Sequence, residues 1–309
     1  MAKVKYANII QAVTSTVWAI MPEKMDAILA FLSAKSGVGF FGEADVQIET
    51  KVATTAKNIK GKIAVLPLVG TISQRIGSMS HASGGIATDE FGAWFDAAIA
   101  DNEIGAIVID TDSPGGNVFG VQELSQKIFD ARGTKPVIAV ANSLMASAAF
   151  WIASAADEIV VTPSGEVGSI GVIAVHTEQS EAESQAGFKT TVMTAGKFKG
   201  EGNQFEPLTD EAKNSIEGRL QDFFVQFTGD VARNRGVARS AVVSGFGQGR
   251  VVGADAAVDA GMADRVGTFQ AVIERLVGSP RATRAATPRR NKAELEKIKR
   301  RCQNFHNGR

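Results

Sequence analysis

Hydrophobic positions divide the chain into stretches of different texture. In the first part Met25, Ile28, Leu29, Phe31 and Leu32 recur at helical spacing, and Ser36-Gly37 with Gly39 ends the pattern. From Gly61 onwards short β-branched runs alternate with amphipathic stretches. Ile63 to Leu68, Ile104 to Ile109, Val137 to Val140, Ile159 to Val161 and Val172 to Val175 read as strands. Asp89 to Ala100, Val121 to Arg132 and Ser147 to Ala156 read as helices between them. This alternation predicts stacked βαβ units and a parallel sheet buried on both faces, an α/β fold. Thr209, with Glu211 in the first turn, opens a long helix whose Ile216, Leu220, Phe223, Phe224 and Phe227 are expected to face the core or a subunit interface. Gly249 to Gly267 forms a last small motif, and Gly278-Ser279-Pro280 punctuates the chain. The organisation expected is an N-terminal helical extension over 1–58, the α/β domain over 59–278 and a tail over 279–309.

Composition narrows the class. With 309 residues, 44% hydrophobic and 21% charged, and 32 Gly against 8 Pro, the bulk is neither disordered nor collagenous. The single cysteine, Cys302, excludes an internal disulfide framework and a Cys-rich metal site. Three histidines (His81, His176, His306) without H-E-x-x-H spacing disfavour a helical metallohydrolase, so no metal and no cofactor is expected. The formal charge of zero hides an asymmetry: from Arg281 to Arg309 ten Lys/Arg face only Glu294 and Glu296. That tail could touch nucleic acid or an acidic partner, and the plainer reading is a solvated, solubilising segment. Lys3 and Lys5 before Ile9 to Ile20 are weakly similar to a secretory leader. Gln11, Thr14, Ser15 and Thr16 interrupt the run, and no later stretch reaches membrane-spanning length, so a soluble protein is expected.

Candidate chemistry sits where strands end, the place α/β sheets offer ligands. Asp110-Thr111-Asp112-Ser113-Pro114-Gly115-Gly116-Asn117 follows one strand, and its glycine pair can present unobstructed N–H groups to an oxyanion. On the glycines alone an ordinary strand-to-helix turn is the better reading. Ala141 to Phe150 follows another strand, and the small residues around Ser147 suit a nucleophile with the Ala148 N–H beside it; a simple N-cap is the bland alternative. No G-x-S-x-G elbow occurs, which disfavours a conventional α/β-hydrolase. A serine needs a base. His176 is one candidate, and Lys199 or Lys197 in Thr194-Ala195-Gly196-Lys197-Phe198-Lys199-Gly200 is the other. A lysine, with a reference pKa of about 10.4, serves only if its surroundings depress that value. Spacing leaves His176 and Lys199 even.

Taken together the motifs resemble the signal peptide peptidase A family of Ser–Lys serine peptidases, closest to its branch of phage and prophage head-maturation proteases. The resemblance runs from Gly61 to Gly267. It rests on Asp112-Ser113-Pro114-Gly115-Gly116, Ala146-Ser147-Ala148, Gly168-Ser169-Ile170-Gly171-Val172, Gly196-Lys197-Phe198-Lys199, and Gly249-Arg250-Val251 with Gly261-Met262-Ala263-Asp264, in the family's order. It implies Ser147 as nucleophile, Lys199 as general base, Ser169 as the serine orienting that lysine, and Gly115, Gly116 and Ala148 as the oxyanion hole. His176 then becomes a neighbouring or structural residue. The fold implied is the ClpP/crotonase type, a spiral of ββα units that assembles into homo-oligomers. The activity implied is serine endopeptidase, in capsid maturation or in signal-peptide and protein degradation. Partners would be protein or peptide substrates and capsid, scaffold or portal proteins, in the cytoplasm or a procapsid. Trp18 to Lys24 is similar to the leader of the phage branch. One departure is Ala148, where many members carry glycine; only its N–H is required. Rival readings are a ClpP-like Ser–His–Asp protease using His176, a crotonase-like acyl-coenzyme A enzyme, and a non-enzymatic assembly protein bound through its tail.

Overall fold

A computed structural model describes residues 16–36, 62–75 and 85–278. In chain order the first elements are β1 (Trp18–Ile20), α1 (Pro22–Ser36), β2 (Lys62–Val69), β3 (Ile72–Ser73), β4 (Ile86–Ala87), α2 (Thr88–Ala100), β5 (Ile104–Ser113) and β6 (Gly115–Asn117). Next come α3 (Val121–Asp130), β7 (Val137–Ala146), α4 (Ala148–Ala153), β8 (Glu158–Val161), β9 (Glu166–Gly168) and α5 (Ser180–Gln185). The chain continues through α6 (Asp210–Arg235), α7 (Arg239–Gly245), β10 (Val251–Gly253), α8 (Ala254–Asp259), β11 (Arg265–Val266) and α9 (Phe269–Gly278).

The result is a mixed α/β fold on two sheets. In the larger, β2, β5, β7, β8 and β11 run parallel in that order. Its inner strands β5, β7 and β8 are largely buried on both faces, as their unbroken apolar runs predict. Along β5 and β7, Ile107, Ile109, Val137, Ala139 and Ala141 point into one core with α2, α3, α4 and α6, while Val108, Ile138 and Val140 point into the other, closed by Val272 and Ile273 of α9. The period of two along a strand makes this division unavoidable.

Two strands run further than their β-branched runs indicate. β5 extends to Ser113 and β7 to Ala146, over stretches expected to be turns. A register irregularity between Thr111 and Ser113 lets the pairing continue. Past it, β7 exchanges its neighbour β8 for β9: Ile138 to Ala141 pair with Glu158 to Val161, and Leu144 to Ala146 with Glu166 to Gly168. β10 then closes that edge antiparallel. The expected strand Val172 to Val175 is a single bridge, Ile173 to Trp18, because the segment leaves the sheet edge. The second sheet is small, in the order β1-β6-β3-β4.

The long helix starts as expected, with the Thr209 hydroxyl accepting from Ala212 N–H at 3.2 Å. Of its aromatics, Phe227 is the core residue and stacks on Trp151, ring centroids 4.6 Å apart. At the N-terminal side Met25, Ile28 and Leu29 of α1 pack with Ile20, Ile173 and Val175. Among the described residues no helix is long and apolar enough to cross a membrane. The basic tail, Cys302, His81 and His306 lie outside the described residues.

Candidate active site

Ser147 stands between the last residue of β7 and the first of α4, and the chain must reverse there within one residue. It does so with φ 56° and ψ −117°, a left-handed conformation that side chains other than glycine rarely adopt. Such strain costs of order 1–3 kcal/mol and persists only where the surroundings over-determine it. Here they do. Ser147 N–H donates to Gly168 O at 2.7 Å, and Ser147 O accepts from Trp151 N–H at 2.9 Å. Trp151 Nε1–H in turn donates to Asp230 Oδ2 at 2.9 Å, and Asn234 Nδ2–H donates to Ser154 Oγ at 2.8 Å, so α6 pins α4 in place. Ala146, Ala148 and Ala149 are fully buried, and their small side chains permit the tight strand-to-helix joint. The geometry is that of a nucleophile elbow, with Met145 and Ala149 where G-x-S-x-G would put glycines.

The Ser147 hydroxyl is buried and has no hydrogen-bond partner. Such an atom in a well-packed core calls for an explanation, and a reactive role is one. Facing it is the turn between β5 and β6. Gly115 has φ 95°, and a Cβ there would lie 2.9 Å from Ser147 Cβ, 3.0 Å from Ala148 N and 2.3 Å from Ala19 O. The missing side chain is therefore what leaves room between the two backbones. A Cβ on Gly116 would meet Ile72 O at 1.9 Å, so this glycine is required by the close approach of β3. The Gly115 N–H is already donated to Ser113 Oγ at 3.2 Å, and Ser113 Oγ–H donates to Gly70 O at 2.6 Å. Ser113 thus braces the turn, a role not assigned to it from sequence although it lies inside the Ser-Pro-Gly-Gly motif.

Ser169 sits beside Ser147 by register. Ala146 pairs with Gly168, so the next residue of each strand emerges at the same edge. Ser169 is buried, has φ 53°, and its N–H donates to Arg250 O at 2.9 Å. Both serines therefore share an unusual backbone state at one end of the sheet. Nearby, burial holds the Asp110 carboxyl above its ordinary value of 3.8; a hydrogen bond from Asn142 opposes the shift and Asp112 adds to it.

Neither candidate base touches Ser147. Lys199 lies on the irregular segment between α5 and α6 with its side chain exposed, and no nitrogen reaches Ser147 Oγ. Lys197 is engaged elsewhere, 3.3 Å from Glu211 Oε1 and over the Phe198 ring. His176 lines a separate cavity of about 390 Å³ with Leu208, Ile216 and Leu220. Its Nε2 is buried without a partner, so it is not bonded to Ser147 either. A larger cavity of about 730 Å³ opens just past Ser169, walled by Ile170, Val172, Leu220, Phe224 and Val242. Among the described residues no group of His, Cys, Asp and Glu side chains could hold a metal ion.

Residues 130–279 match peptidase family S49, a span that contains Ser147, Ser169 and Lys199. Over 211 residues the chain is 35% identical to the head-tail preconnector protein GP5 of Enterobacteria phage P21, covering 66% of this chain and 40% of that protein. Over 204 residues it is 31% identical to the capsid assembly protease C of Escherichia phage lambda, covering 66% and 46% respectively. It is also 25% identical over 220 residues to Protease 4 of Haemophilus influenzae, covering 71% and 35%. The chain thus spans less than half the length of these relatives.

Proposed function

Residues 130–279 of this chain belong to peptidase family S49, and from that premise we propose that the protein is a serine endopeptidase with Ser147 as its nucleophile. The observation that carries the reading is the strained, buried and unpartnered hydroxyl of Ser147, set against the glycine gap at Gly115 with the Ala148 N–H on the same spot. A base removes the Ser147 proton as Oγ attacks a peptide carbonyl. The tetrahedral oxyanion is held by the N–H groups of Gly116 and Ala148, and the proton passes to the departing amine. Water then hydrolyses the acyl-enzyme. Each oxyanion donor is worth about 3 kcal/mol of barrier. Gly115, whose N–H is occupied, serves through its missing side chain.

Lys199 is the base in this reading, and Ser169 orients it. The exposed position of Lys199 fits a dyad that closes only on assembly: packing of further copies would bring a lysine onto Ser147, strip it of water and favour the neutral amine. The parallel sheet with short strand–helix repeats supports a spiral of the ClpP/crotonase type, which suits such assembly. The phage relatives support protein substrates in head assembly, with residues 59–278 as the catalytic domain. The test is labelling with a fluorophosphonate and hydrolysis of fluorescent casein. Both should be lost in Ser147→Ala, and casein hydrolysis should fall at least about 100-fold in Lys199→Ala. Full activity in Lys199→Ala with loss in His176→Ala would move the base to His176, and labelling that survives Ser147→Ala would end the reading.

A further inference from the structure

The groove in front of Ser147 is filled by the chain itself. β1 lies between β6 on one side and Ile173 on the other, as a third strand threaded through the site. Toward β6 the register is Trp18 to Asn117, Ala19 to Gly116 and Ile20 to Gly115. Met21 N–H donates to Pro114 O at 3.0 Å and Val118 N–H to Val17 O at 3.4 Å. Because hydrogen-bonded pairs alternate in an antiparallel ladder, Ala19 and Gly116 are the pair between them that exchanges both bonds. The Gly116 N–H, one of the two oxyanion donors, therefore points at the Ala19 carbonyl. Toward the other side Trp18 N–H donates to Ile173 O at 2.9 Å and Ile173 N–H to Trp18 O at 2.8 Å. Residues 17, 19 and 21 are thus bound from one flank and residue 18 from the other, the way an extended peptide is held by strand addition.

The second donor lies close to the same carbonyl. Ala19 O, Ala148 N and Ser147 Cβ all lie within 3.0 Å of the single point where Gly115 lacks its Cβ. Val17, Ala19 and Ile20 are almost wholly buried, so this strand is seated and not draped over the site. It also explains why Ser147 is fully buried although nothing bonds its hydroxyl.

We propose that the Ala19–Ile20 peptide bond is an intramolecular cleavage site of this protein, held in the peptide groove until Ser147 cuts it and opens the groove to other chains. The inference rests on the Ser147 peptidase reading. Ser147 Oγ adds to the Ala19 carbonyl carbon while its proton passes through the base to the Ile20 nitrogen. The C–N bond breaks, leaving an Ala19 ester on Ser147 and a free Ile20 amine. Water hydrolyses the ester, which releases the Ala19 carboxylate and restores the Ser147 hydroxyl. The occupant is extended and apolar, with a small residue before the cut, and external substrates of that class would compete for the same bonds.

The test uses the full chain as wild type, Ser147→Ala and Ile20→Pro, followed by intact mass and N-terminal sequencing alongside casein hydrolysis. Proline at 20 suits the design because the Ile20 N–H makes none of the bonds to β6, and the extended Ala19 before it satisfies proline's demand. Once the protein is assembled, the wild type should lose everything before Ile20 at a first-order rate that no longer depends on protein concentration. Ser147→Ala and Ile20→Pro should stay whole. Casein hydrolysis by the wild type should show a lag that follows the loss of the segment. Ile20→Pro should remain about tenfold or more below the processed protein, since only the fraction of grooves vacated by the strand can bind. Wild type that hydrolyses casein without a lag and keeps its N-terminal segment overturns this inference and leaves the peptidase reading standing. Cleavage of Ser147→Ala at the same bond by added wild type, as fast as in wild type itself, also overturns it. A chain begun at Ile20 that neither labels at Ser147 nor hydrolyses casein brings down both.

Discussion

Replacing Gly115 by alanine tests the geometry of the site with a single methyl group. The backbone there has φ 95°, where an L side chain is strained by about 1–2 kcal/mol. The new Cβ would stand 2.3 Å from Ala19 O and 2.9 Å from Ser147 Cβ, closer than such contacts occur, and at a tight 3.0 Å from Ala148 N. Two of those neighbours are backbone atoms held in sheet and helix, so relief by rotamer change is closed and overpacking adds about 1–3 kcal/mol. The sum, about 2–5 kcal/mol, corresponds to a fall in Tm of roughly 4–20 °C for a domain of this size. Relief by moving β1 aside would lessen that figure, yet the methyl would still intrude on the proposed oxyanion site. Turnover of casein, measured well below the variant's Tm so that folding is intact, should therefore drop about 100-fold or more. Thermal unfolding by circular dichroism gives the first quantity and initial rates at saturating casein the second. A Gly115→Ala protein with unchanged Tm and turnover within about threefold of wild type would refute the argument that this gap is the oxyanion site.

Two further outcomes follow from the backbone and from burial. Ser147→Gly removes the side chain from a left-handed position, so the protein should gain about 1 kcal/mol in stability while losing all labelling, and a loss of stability on thermal unfolding would contradict the strain at φ 56°. Burial raises the Asp110 carboxyl above 3.8, so the folded chain keeps a proton that the unfolded chain releases and stability declines as pH climbs from that value through the folded pKa. Asp110→Asn should accordingly raise Tm relative to wild type at pH 7 and not at pH 3.5; a difference that is the same at both would remove burial as the cause.

Much of this protein could be read from local pattern. The β-branched runs at 63–68, 104–109, 137–140 and 159–161 became the parallel strands, because a strand buried on both faces must be apolar at every position and that signal is continuous in the chain. The Thr209 cap and the glycine pair at 115–116 were likewise legible, since capping and tight approach each demand particular residue types at one position. Ser147 stood out by its small neighbours, although its left-handed φ came from the abrupt passage of β7 into α4 and not from any glycine. What could not be read are the contacts that join distant segments. The continuation of β7 onto β9 hangs on pairings across about twenty residues of chain, and a three-residue strand such as β1 is too short to show a period. That β1 would thread between β6 and Ile173, and lay the Ala19 carbonyl beside Ala148 N and Ser147, is set by main-chain hydrogen bonds available to almost any sequence. Side-chain pattern carries the identity of the elements and marks the candidate serine, while backbone pairing over long separations leaves no local trace and is decided only when the chain has folded.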